Sequence, residues 1–428
     1  MSAPLRLGIA GLGTVGIGVV DLIRTEGALI AARAGRPVKI VAVSARDRAR
    51  DRGADLSAFA WEDDPVALAR RGDIDVFVEL MGGENGPARA ATEAAIAAGK
   101  DVVTANKALL AHHGQALAEA AEAAGRVIRF EAAVAGGIPV IKALTEGLAA
   151  NRIRRVMGVM NGTCNYILTR MESAGLPYEA VFEEARQLGY LEADPRLDVD
   201  GIDAGHKLSI LAALAFGTRV AFGAVELEGI GRIAIEDIRH AAELGFRIKL
   251  LGVAQMTGRG LEQRMSPCLV PADSPLGQLQ GGTNMVVLEG SAAGQIVLRG
   301  AGAGAGPTAS AVMADVIDLA RGTRYPTFGV PAATLAESVG ASVAAPAPYY
   351  LRLTLQDKPG ALAKVAAVLG DAGISIDRMR QRGHSEPTAP VIIVTHKTTR
   401  DDVNHAISRF AATGVVVGET VAIRIEAV

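Results

Sequence analysis

The sequence predicts an α/β protein in which a doubly wound parallel sheet is followed by an α+β domain and a small βαββαβ module. Three observations carry this prediction. Strands and helices alternate over residues 1–131, longer helices mix with strands over 132–304, and a second alternation fills 350–428. Half of the 428 residues are apolar, so the chain can bury a large core divided between two or three domains.

Short apolar strands alternate with Ala-rich helices in the first domain. The predicted strands are 5–10, 38–43, 76–80, 102–104 and 127–130, and the predicted helices are 17–24, 88–98 and 115–124. This order is typical of parallel strands that are connected by crossover helices.

The pattern changes near residue 132. Helices are predicted at 140–149, 178–188 and 205–216, and strands at 153–160, 250–256 and 285–288. After an Ala- and Pro-rich linker at 341–349, the tail is predicted as strand 350–355, helix 361–372, strands 374–380 and 391–397, helix 401–412 and strand 421–426. We expect residues 305–340 to return to the first domain.

A glycine-rich turn follows the first predicted strand and opens a helix. It contains Gly11, Gly13, Thr14, Val15 and Gly16 in the order Gly-Leu-Gly-Thr-Val-Gly. In this context the three glycines provide a tight turn, a close approach to a pyrophosphate and close helix packing, as in a Rossmann-type domain. The sequence therefore predicts a dinucleotide site, with a ligand-free glycine turn as the alternative.

The end of the second strand bears on the choice of cofactor. Residues 41–46 lack the acidic residue that an NAD-selective site places against the ribose, and Arg46 or Arg48 can face a 2′-phosphate. This favours NADP, although Asp47 between the two arginines keeps NAD open.

A second glycine cluster at 300–306 lies between a strand-like run and a helix-like run. Linkers seldom end at a capping residue such as Thr308 followed by an apolar-periodic helix. We therefore expect Gly302 and Gly304 to belong to a loop that closes on the cofactor, with a flexible linker as the alternative.

The segment 189–207 crowds carboxylates and a lysine before an apolar helix. Asp203 and Lys207 are four residues apart, so on one helix they share a face and can grip a ligand together. The alternative is a solvated acidic loop, but charges entering an apolar helix are costly unless they are paired.

Charge and cysteine content exclude several classes of protein. A net charge of −2 argues against nonspecific nucleic-acid or membrane binding, and Cys164 and Cys268 form no disulfide framework or zinc motif. With no signal peptide and no long apolar run, we expect a cytoplasmic protein.

Several motifs together resemble the homoserine dehydrogenase family. They are the first glycine turn, Thr104-Ala-Asn-Lys107, 130–139 (FEAAVAGGIP), 161–166 (NGTCNY), 189–207 and the second glycine cluster. The tail, with Asp357-Lys-Pro-Gly-Ala-Leu362, is similar to an ACT domain, a module that commonly binds amino acids. The resemblance covers nearly the whole chain and no kinase-like region precedes the glycine turn, as in the monofunctional form.

The resemblance implies interconversion of L-homoserine and L-aspartate 4-semialdehyde in threonine, methionine and isoleucine biosynthesis. It implies that Lys207 transfers the hydroxyl proton, with its pKa lowered by burial and by a nearby Lys107. Lys107 contacts substrate and nicotinamide, Asp203 holds the substrate and orients the reacting centre, and Glu192, with Asp198, binds the substrate ammonium.

Further positions follow from the same resemblance. Thr104 and Gly189 are expected at the cofactor. A sodium ion is expected on main-chain oxygens of a loop that contains Glu131, Val134, Gly136 and Ile138. We expect Cys164 to be no nucleophile and His206 to be structural, and we expect Asn161 and Asn165 to organise the backbone, with a ligand contact left open.

Partners and alternatives complete the prediction. We expect an amino-acid effector such as threonine near 357–362, with assembly as the alternative role of the tail, and a homodimer or homotetramer. The alternative functions are another NAD(P)-dependent amino-acid dehydrogenase, or a sensor of amino acids and dinucleotides without catalysis.

Overall fold

The computed structural model describes residues 3–192, 194–341, 344–381 and 387–428. The first two residues, Ala193 of the acidic loop and residues 342–343 of the predicted linker lie outside the described residues. In the part that is described, no helix has the length and apolar character needed to cross a membrane.

The first domain is a parallel sheet of order β3-β2-β1-β4-β5-β6. The carboxyl ends of its strands meet at one edge, where such folds bind ligands. Its elements are β1 Leu5–Ala10, α1 Thr14–Ala34, β2 Val38–Ser44, β3 Ala60–Glu62, α2 Pro65–Arg70, β4 Val76–Glu79, α3 Pro87–Ala97, β5 Asp101–Thr104, α4 Lys107–Ala123 and β6 Ile128–Arg129.

The second domain covers a mixed sheet with helices. Its elements are α5 Val140–Lys142, β7 Ile153–Val159, α6 Gly162–Ala174, α7 Tyr178–Gln187, α8 Arg196–Val199, α9 Ile202–Phe216, β8 Glu226–Leu227, α10 Ile235–Glu243, β9 Phe246–Thr257, β10 Gly260–Pro271, β11 Thr283–Gly290, β12 Gly294–Ala301 and α11 Ala305–Ala320. Helix α11 returns to the first domain, where Val312 and Val316 share a core cluster with Leu7 and Val19.

The tail has the predicted βαββαβ order. Its elements are β13 Tyr349–Gln356, α12 Ala361–Asp371, β14 Ile376–Gln381, β15 Thr388–Thr395, α13 Arg400–Phe410 and β16 Val416–Ile425. The fold class predicted from the sequence is thus confirmed, including the smaller C-terminal module.

One sheet runs through the second domain and the tail. Its order is β12-β11-β7-β9-β10-β16-β13-β15-β14, with β8 beside β10. The junction is a parallel pairing of β10 with β16, at Cys268 with Arg424 and Leu269 with Ile425. The tail, a separate module in sequence, therefore shares hydrogen-bonded backbone with the second domain.

Some element boundaries differ from those expected. Helix α1 continues to Ala34, because apolar residues such as Ile30 still face the core. The predicted helix 140–149 is a short α5 followed by a π-helical turn at Ala143–Gly147. Helices α6 and α10 and strand β10 carry mixed polar and apolar residues and were not predicted.

Candidate active site

A cavity of about 710 Å³ lies between the carboxyl edge of the first sheet and the second domain. Its volume is typical of a small-ligand site. Of the residues predicted from the sequence, those that line it are Thr14, Val15, Lys107, Val134, Gly136, Gly189, Glu192, Asp198, Asp203, Lys207, Gly302 and Gly304.

Two lysines and one aspartate form the charged centre of this cavity. Helix α9 places Asp203 in its first turn and Lys207 one turn later on the same face. The Asp203 carboxylate accepts a hydrogen bond from Lys207 Nζ at 2.6 Å and lies 3.0 Å from Lys107 Nζ at the start of α4. Asp203 therefore joins the two domains across the site.

The two lysines hold Asp203 ionised. Burial alone would raise the pKa of its carboxyl, but the charges of Lys207 and Lys107, with their hydrogen bonds, lower that pKa well below its usual range. The same Asp203 charge raises the pKa of Lys107 against the opposing effect of burial. Lys107 is therefore a cation in this site.

Lys207 is buried and held by two acceptors. Its Nζ donates to the Met160 carbonyl at 2.9 Å and to Asp203 at 2.6 Å. A lysine ammonium has three N–H donors, so one donor is left for a ligand in the cavity.

The acidic loop is anchored through Asp198. Its side chain is buried and accepts from Asn161 Nδ2 at 2.8 Å and from the Glu192 amide at 2.9 Å. Asn161 also caps α6 by accepting from the Cys164 amide. Asp198 thus fixes the backbone at Glu192 and also lines the cavity.

The first glycine turn fits a dinucleotide. Gly11 has a φ of +101° and a Cβ there would collide with the Leu80 carbonyl, while a Cβ at Gly16 would collide with the Gly11 carbonyl. By contrast, a Cβ at Gly13 would meet no atom within 4 Å. Gly13 therefore borders open space at the start of α1, where a pyrophosphate can approach the backbone amides.

The second glycine loop forms the opposite wall. Gly136 and Gly302 approach each other so closely that a Cβ at Gly136 would lie 2.5 Å from the Gly302 carbonyl. Gly304 has a φ of +113° and is the N-cap residue of α11, and both Gly302 and Gly304 line the cavity. The second glycine loop thus borders the same cavity as Thr14.

Thr104 lies beneath the cavity wall rather than on it. It is fully buried and its hydroxyl donates to Glu79 Oε2 at 2.7 Å while accepting from the Asn106 amide at 3.0 Å. The other Glu79 oxygen accepts from the Met81 amide. Thr104 therefore shapes the turn that presents Lys107.

The arginines after β2 gather around Trp61. Arg48 and Arg52 lie 5.8 and 5.6 Å from the centre of its ring, and Arg52 also donates to the Leu12 carbonyl of the glycine turn. Arg46 is exposed at the end of β2. The positive group thus stands beside the glycine turn at the edge of the parallel sheet.

Comparison with known proteins decides the family. Residues 139–317 match the homoserine dehydrogenase model, 11–131 the homoserine dehydrogenase NAD-binding model and 349–414 the ACT domain model. A homoserine dehydrogenase of Neisseria gonorrhoeae is 44% identical, over 99% of each chain. The chain belongs to the homoserine dehydrogenase family. It is an oxidoreductase with homoserine dehydrogenase activity, which rules out the sensor without catalysis.

Solved structures of the family agree. The crystal structure of a homoserine dehydrogenase from Thiobacillus denitrificans matches with a TM-score of 0.94 and 42% identity, over 99% of each chain. A hyperthermophilic archaeal homoserine dehydrogenase in complex with NADPH matches with a TM-score of 0.63 and 25% identity, over 74% of this chain and 97% of that one. A nicotinamide cofactor is therefore supported for this homoserine dehydrogenase.

In the loop predicted to bind a cation, several oxygens already accept hydrogen bonds from the chain. The Glu131 carboxylate already accepts from the amides of Ile141 and Lys142, each at 2.9 Å, and the Ile138 carbonyl accepts from Val140 at 2.8 Å. Among the described residues, no group of three His, Cys, Asp or Glu side chains could hold a metal. The Glu131 carboxylate and the Ile138 carbonyl of this loop therefore already have hydrogen-bond donors within the chain.

Two residues close to the site, Cys164 and His206, have the packed surroundings that are expected of structural residues. Cys164 is fully buried, and burial with the nearby charges of Asp198 and Asp203 raises the pKa of its thiol, so it is no thiolate nucleophile. The ring of His206 packs 4.2 Å from that of Phe222 and 5.4 Å from that of His112.

Other cavity residues were not predicted as ligands. Asn284 donates to the Met160 carbonyl, which Lys207 also uses, and its buried Oδ1 has no hydrogen-bond partner within the described ranges. Tyr166 and Tyr190 line the same wall with two rings that lie 4.7 Å apart and are tilted by 55°. Asn284 is the second residue of β11 and has no motif around it, so only the tertiary fold reveals it.

Proposed function

We propose that Lys207 carries the proton in the conversion of L-homoserine to L-aspartate 4-semialdehyde. In oxidation its neutral amine takes the proton of the hydroxyl, and in reduction its ammonium returns it. The nicotinamide cofactor, when bound, accepts or donates the hydride. The observation that carries this proposal is the Lys207 Nζ, held by Met160 and Asp203 with one donor left for the cavity.

The neighbouring charges have distinct roles in this proposal. Asp203 orients both lysines through its two carboxylate oxygens. Lys107 stays cationic beside the substrate and the nicotinamide. Glu192 and Asp198 bind the substrate ammonium, since both carboxylates line the same cavity.

The substitution Lys207→Met tests the role of Lys207. It keeps the length of the side chain but removes the proton carrier, so kcat should fall at least about a thousandfold while the Kd for the cofactor stays within about twofold. Lys100→Met is the control, because Lys100 bonds the Ile74 carbonyl at the opposite edge of the first sheet. Turnover near the wild-type rate in Lys207→Met would refute the assignment.

NADP is the proposed cofactor. The support is the positive group after β2, in which Arg46 and Arg48 are exposed and can meet a 2′-phosphate, with Arg48 5.8 Å from the centre of the Trp61 ring. Gly11, Gly13, Thr14, Val15 and Gly16 would hold the pyrophosphate, with Gly189, Gly302 and Gly304 on the facing walls. Thr104 supports this site from below.

Substitution of the exposed arginines tests the cofactor preference. In Arg46→Ala or Arg48→Ala the KM for NADPH should rise about tenfold, and the KM for NADH should not, because only NADPH loses a charge-assisted contact. Arg50→Ala, an exposed arginine in the same loop, is the control. An unchanged ratio of the two KM values in both variants would favour NAD.

A sodium ion is proposed on the carbonyls of Glu131, Val134, Gly136 and Ile138, which the family resemblance implies. Support comes from the cavity wall, which includes Val134 and Gly136. Activity measured in sodium, potassium and tetramethylammonium salts at one ionic strength would test the site.

We also propose a role in threonine, methionine and isoleucine biosynthesis, with an amino-acid effector at the ACT domain. Assembly as a homodimer or homotetramer is proposed because β12 is an edge strand with exposed residues such as Val297. Light scattering after size exclusion gives the number of chains.

A further inference from the structure

Asn284 lies in the wall of the active-site cavity with one end of its side-chain amide unused. The residue is only 2% exposed. Its Nδ2 donates to the Met160 carbonyl at 3.1 Å, and the same carbonyl accepts from Lys207 Nζ at 2.9 Å. Only the NH2 end of an amide can donate to a carbonyl, so this bond fixes the orientation of the side chain. Oδ1 is the end that is left over.

The unused oxygen sets Asn284 apart from the rest of the cavity wall. Of the lining residues within the described ranges, Asn284 is the one with a buried side-chain oxygen or nitrogen that has no hydrogen-bond partner. A buried acceptor without a donor costs free energy, and an apolar side chain of the same size would avoid that cost. A bound ligand that supplies a donor would also remove it.

Asn284 stands directly behind the second glycine loop. A Cβ at Gly302 would collide with the side-chain amide of Asn284. Gly302 lines the cavity together with Lys207 and with Thr14 of the first glycine turn. The amide is therefore next to the proposed cofactor loop and also next to the proposed proton carrier.

The chemistry of the reaction selects the ligand group that suits Oδ1. The nicotinamide carbon that exchanges the hydride must lie against the carbon that carries the substrate hydroxyl, and the carboxamide is attached to the adjacent ring carbon. With the hydroxyl at Lys207, the carboxamide comes close to Asn284. The substrate ammonium has the carboxylates of Glu192 and Asp198 as partners, whereas a neutral amide oxygen suits the neutral N–H of a carboxamide.

We infer that Asn284 positions the nicotinamide ring by accepting a hydrogen bond from the carboxamide N–H at Oδ1. This rests on the proposed role of Lys207 and on the proposed cofactor loop, and it adds a residue that no motif indicates. Because Asn284 and Lys207 share the Met160 carbonyl, this contact fixes the ring and the proton carrier relative to each other.

Calorimetric Kd values for NADP and two ring analogues test the contact without using turnover. The acetylpyridine analogue replaces the carboxamide NH2 with a methyl group, and the thionicotinamide analogue keeps the NH2. The wild type should bind NADP and the thionicotinamide analogue equally, and the acetylpyridine analogue about tenfold more weakly, because one hydrogen bond is lost. This comparison needs no variant, so it stands even if substitutions of Asn284 prevent folding.

The substitution Asn284→Leu tests the residue itself. It keeps the approximate size of the side chain and removes both polar ends. The Kd for NADP should rise about tenfold and that for the acetylpyridine analogue should not change, so the two values become equal. Gln263→Leu is the matched control, because the Gln263 amide is also buried without partners among the described residues but lies on β10 outside the cavity.

Steady-state rates separate this role from a structural one. Asn284→Leu should lower kcat about tenfold and keep the KM for L-homoserine, because the substrate acids are unchanged. The inference is overturned if the wild type binds NADP and the acetylpyridine analogue equally, or if Asn284→Leu weakens both by the same factor. Wild-type turnover in Lys207→Met would instead refute the proposed proton carrier, and the calorimetric comparison would be unaffected.

Discussion

His206 is next to Lys207 in the sequence but has a different role in the structure. Successive residues of a helix point about 100° apart, so the neighbour of a site residue can face the core. His206 packs against Phe222, and burial, with the nearby charge of His112, lowers its pKa to about 4. It is therefore neutral in the folded protein near neutral pH.

This buried imidazole should make the protein sensitive to acid. Below its ordinary pKa of 6.5 the unfolded chain binds a proton that the folded chain refuses until about pH 4, so stability falls as the pH decreases over that window. The effect is roughly 3 kcal/mol when summed over the window. In His206→Phe, the free energy of unfolding should decrease by about that much less between pH 7 and pH 4.

Urea unfolding at several pH values measures the difference. His405→Phe, an exposed histidine on α13, is the control and should follow the wild type. If the free energy of unfolding of His206→Phe depends on pH as steeply as that of the wild type, then the His206 ring of the wild type is already charged in the folded state.

At the scale of elements, the loop after β8 packs directly against α8. Gly229 has no space for a side chain, since a Cβ would lie 2.8 Å from Asp200 Cα as well as 2.5 Å from the Val199 carbonyl. Gly231, two residues later in the same loop, has no atom within 4 Å of such a Cβ. The two glycines therefore lie in the same loop but differ in the space that is available for a side chain.

Gly229→Ala should displace α8 and with it Asp198. We expect the KM for L-homoserine to rise about tenfold, because small misplacements of positioning groups have large kinetic effects. Gly231→Ala should keep the wild-type KM. Equal KM values in the two variants would show that the loop changes its conformation to accommodate the new methyl group without moving α8.

Local patterns explain which elements were predictable. Gly11, Gly13 and Gly16 follow a strand and open a helix, and Asp203 and Lys207 share one turn, so short-range spacing was enough to place them together. Asn284 reaches the same cavity only because β11 pairs with β7, which is a contact between distant segments. No spacing in the sequence encodes it.

Strand β10 was missed for a related reason. It carries Glu262 and Arg264, whose charges are unusual for a fully buried strand. Both side chains are about 95% buried, because Arg264 pairs with Glu262 at 2.9 Å and with Glu426 from the end of the chain. A partner 162 residues away makes the burial possible, and local propensity cannot reveal it.

At the scale of the whole molecule, Glu426 joins the second domain to the ACT domain. Its carboxylate contacts Arg155 of β7 at 3.1 Å, Arg424 of β16 at 2.9 Å and Arg264 of β10. Its amide also donates to the Leu269 carbonyl at 2.8 Å. The continuous sheet thus has a buried network of ion pairs at its junction.

Glu426→Gln should weaken that junction more than any surface change of the same size. Removing one partner of a buried ionic group leaves unpaired charge, which costs about 3–5 kcal/mol. The heat-absorption peak that includes the ACT domain should therefore move to lower temperature in scanning calorimetry. Glu337→Gln removes an exposed carboxylate that pairs with Arg219 and should leave the peak in place, since exposed pairs contribute about 0–1 kcal/mol. If both variants unfold like the wild type, the three arginines tolerate a neutral partner and the sheet holds the two domains together through its backbone pairing alone.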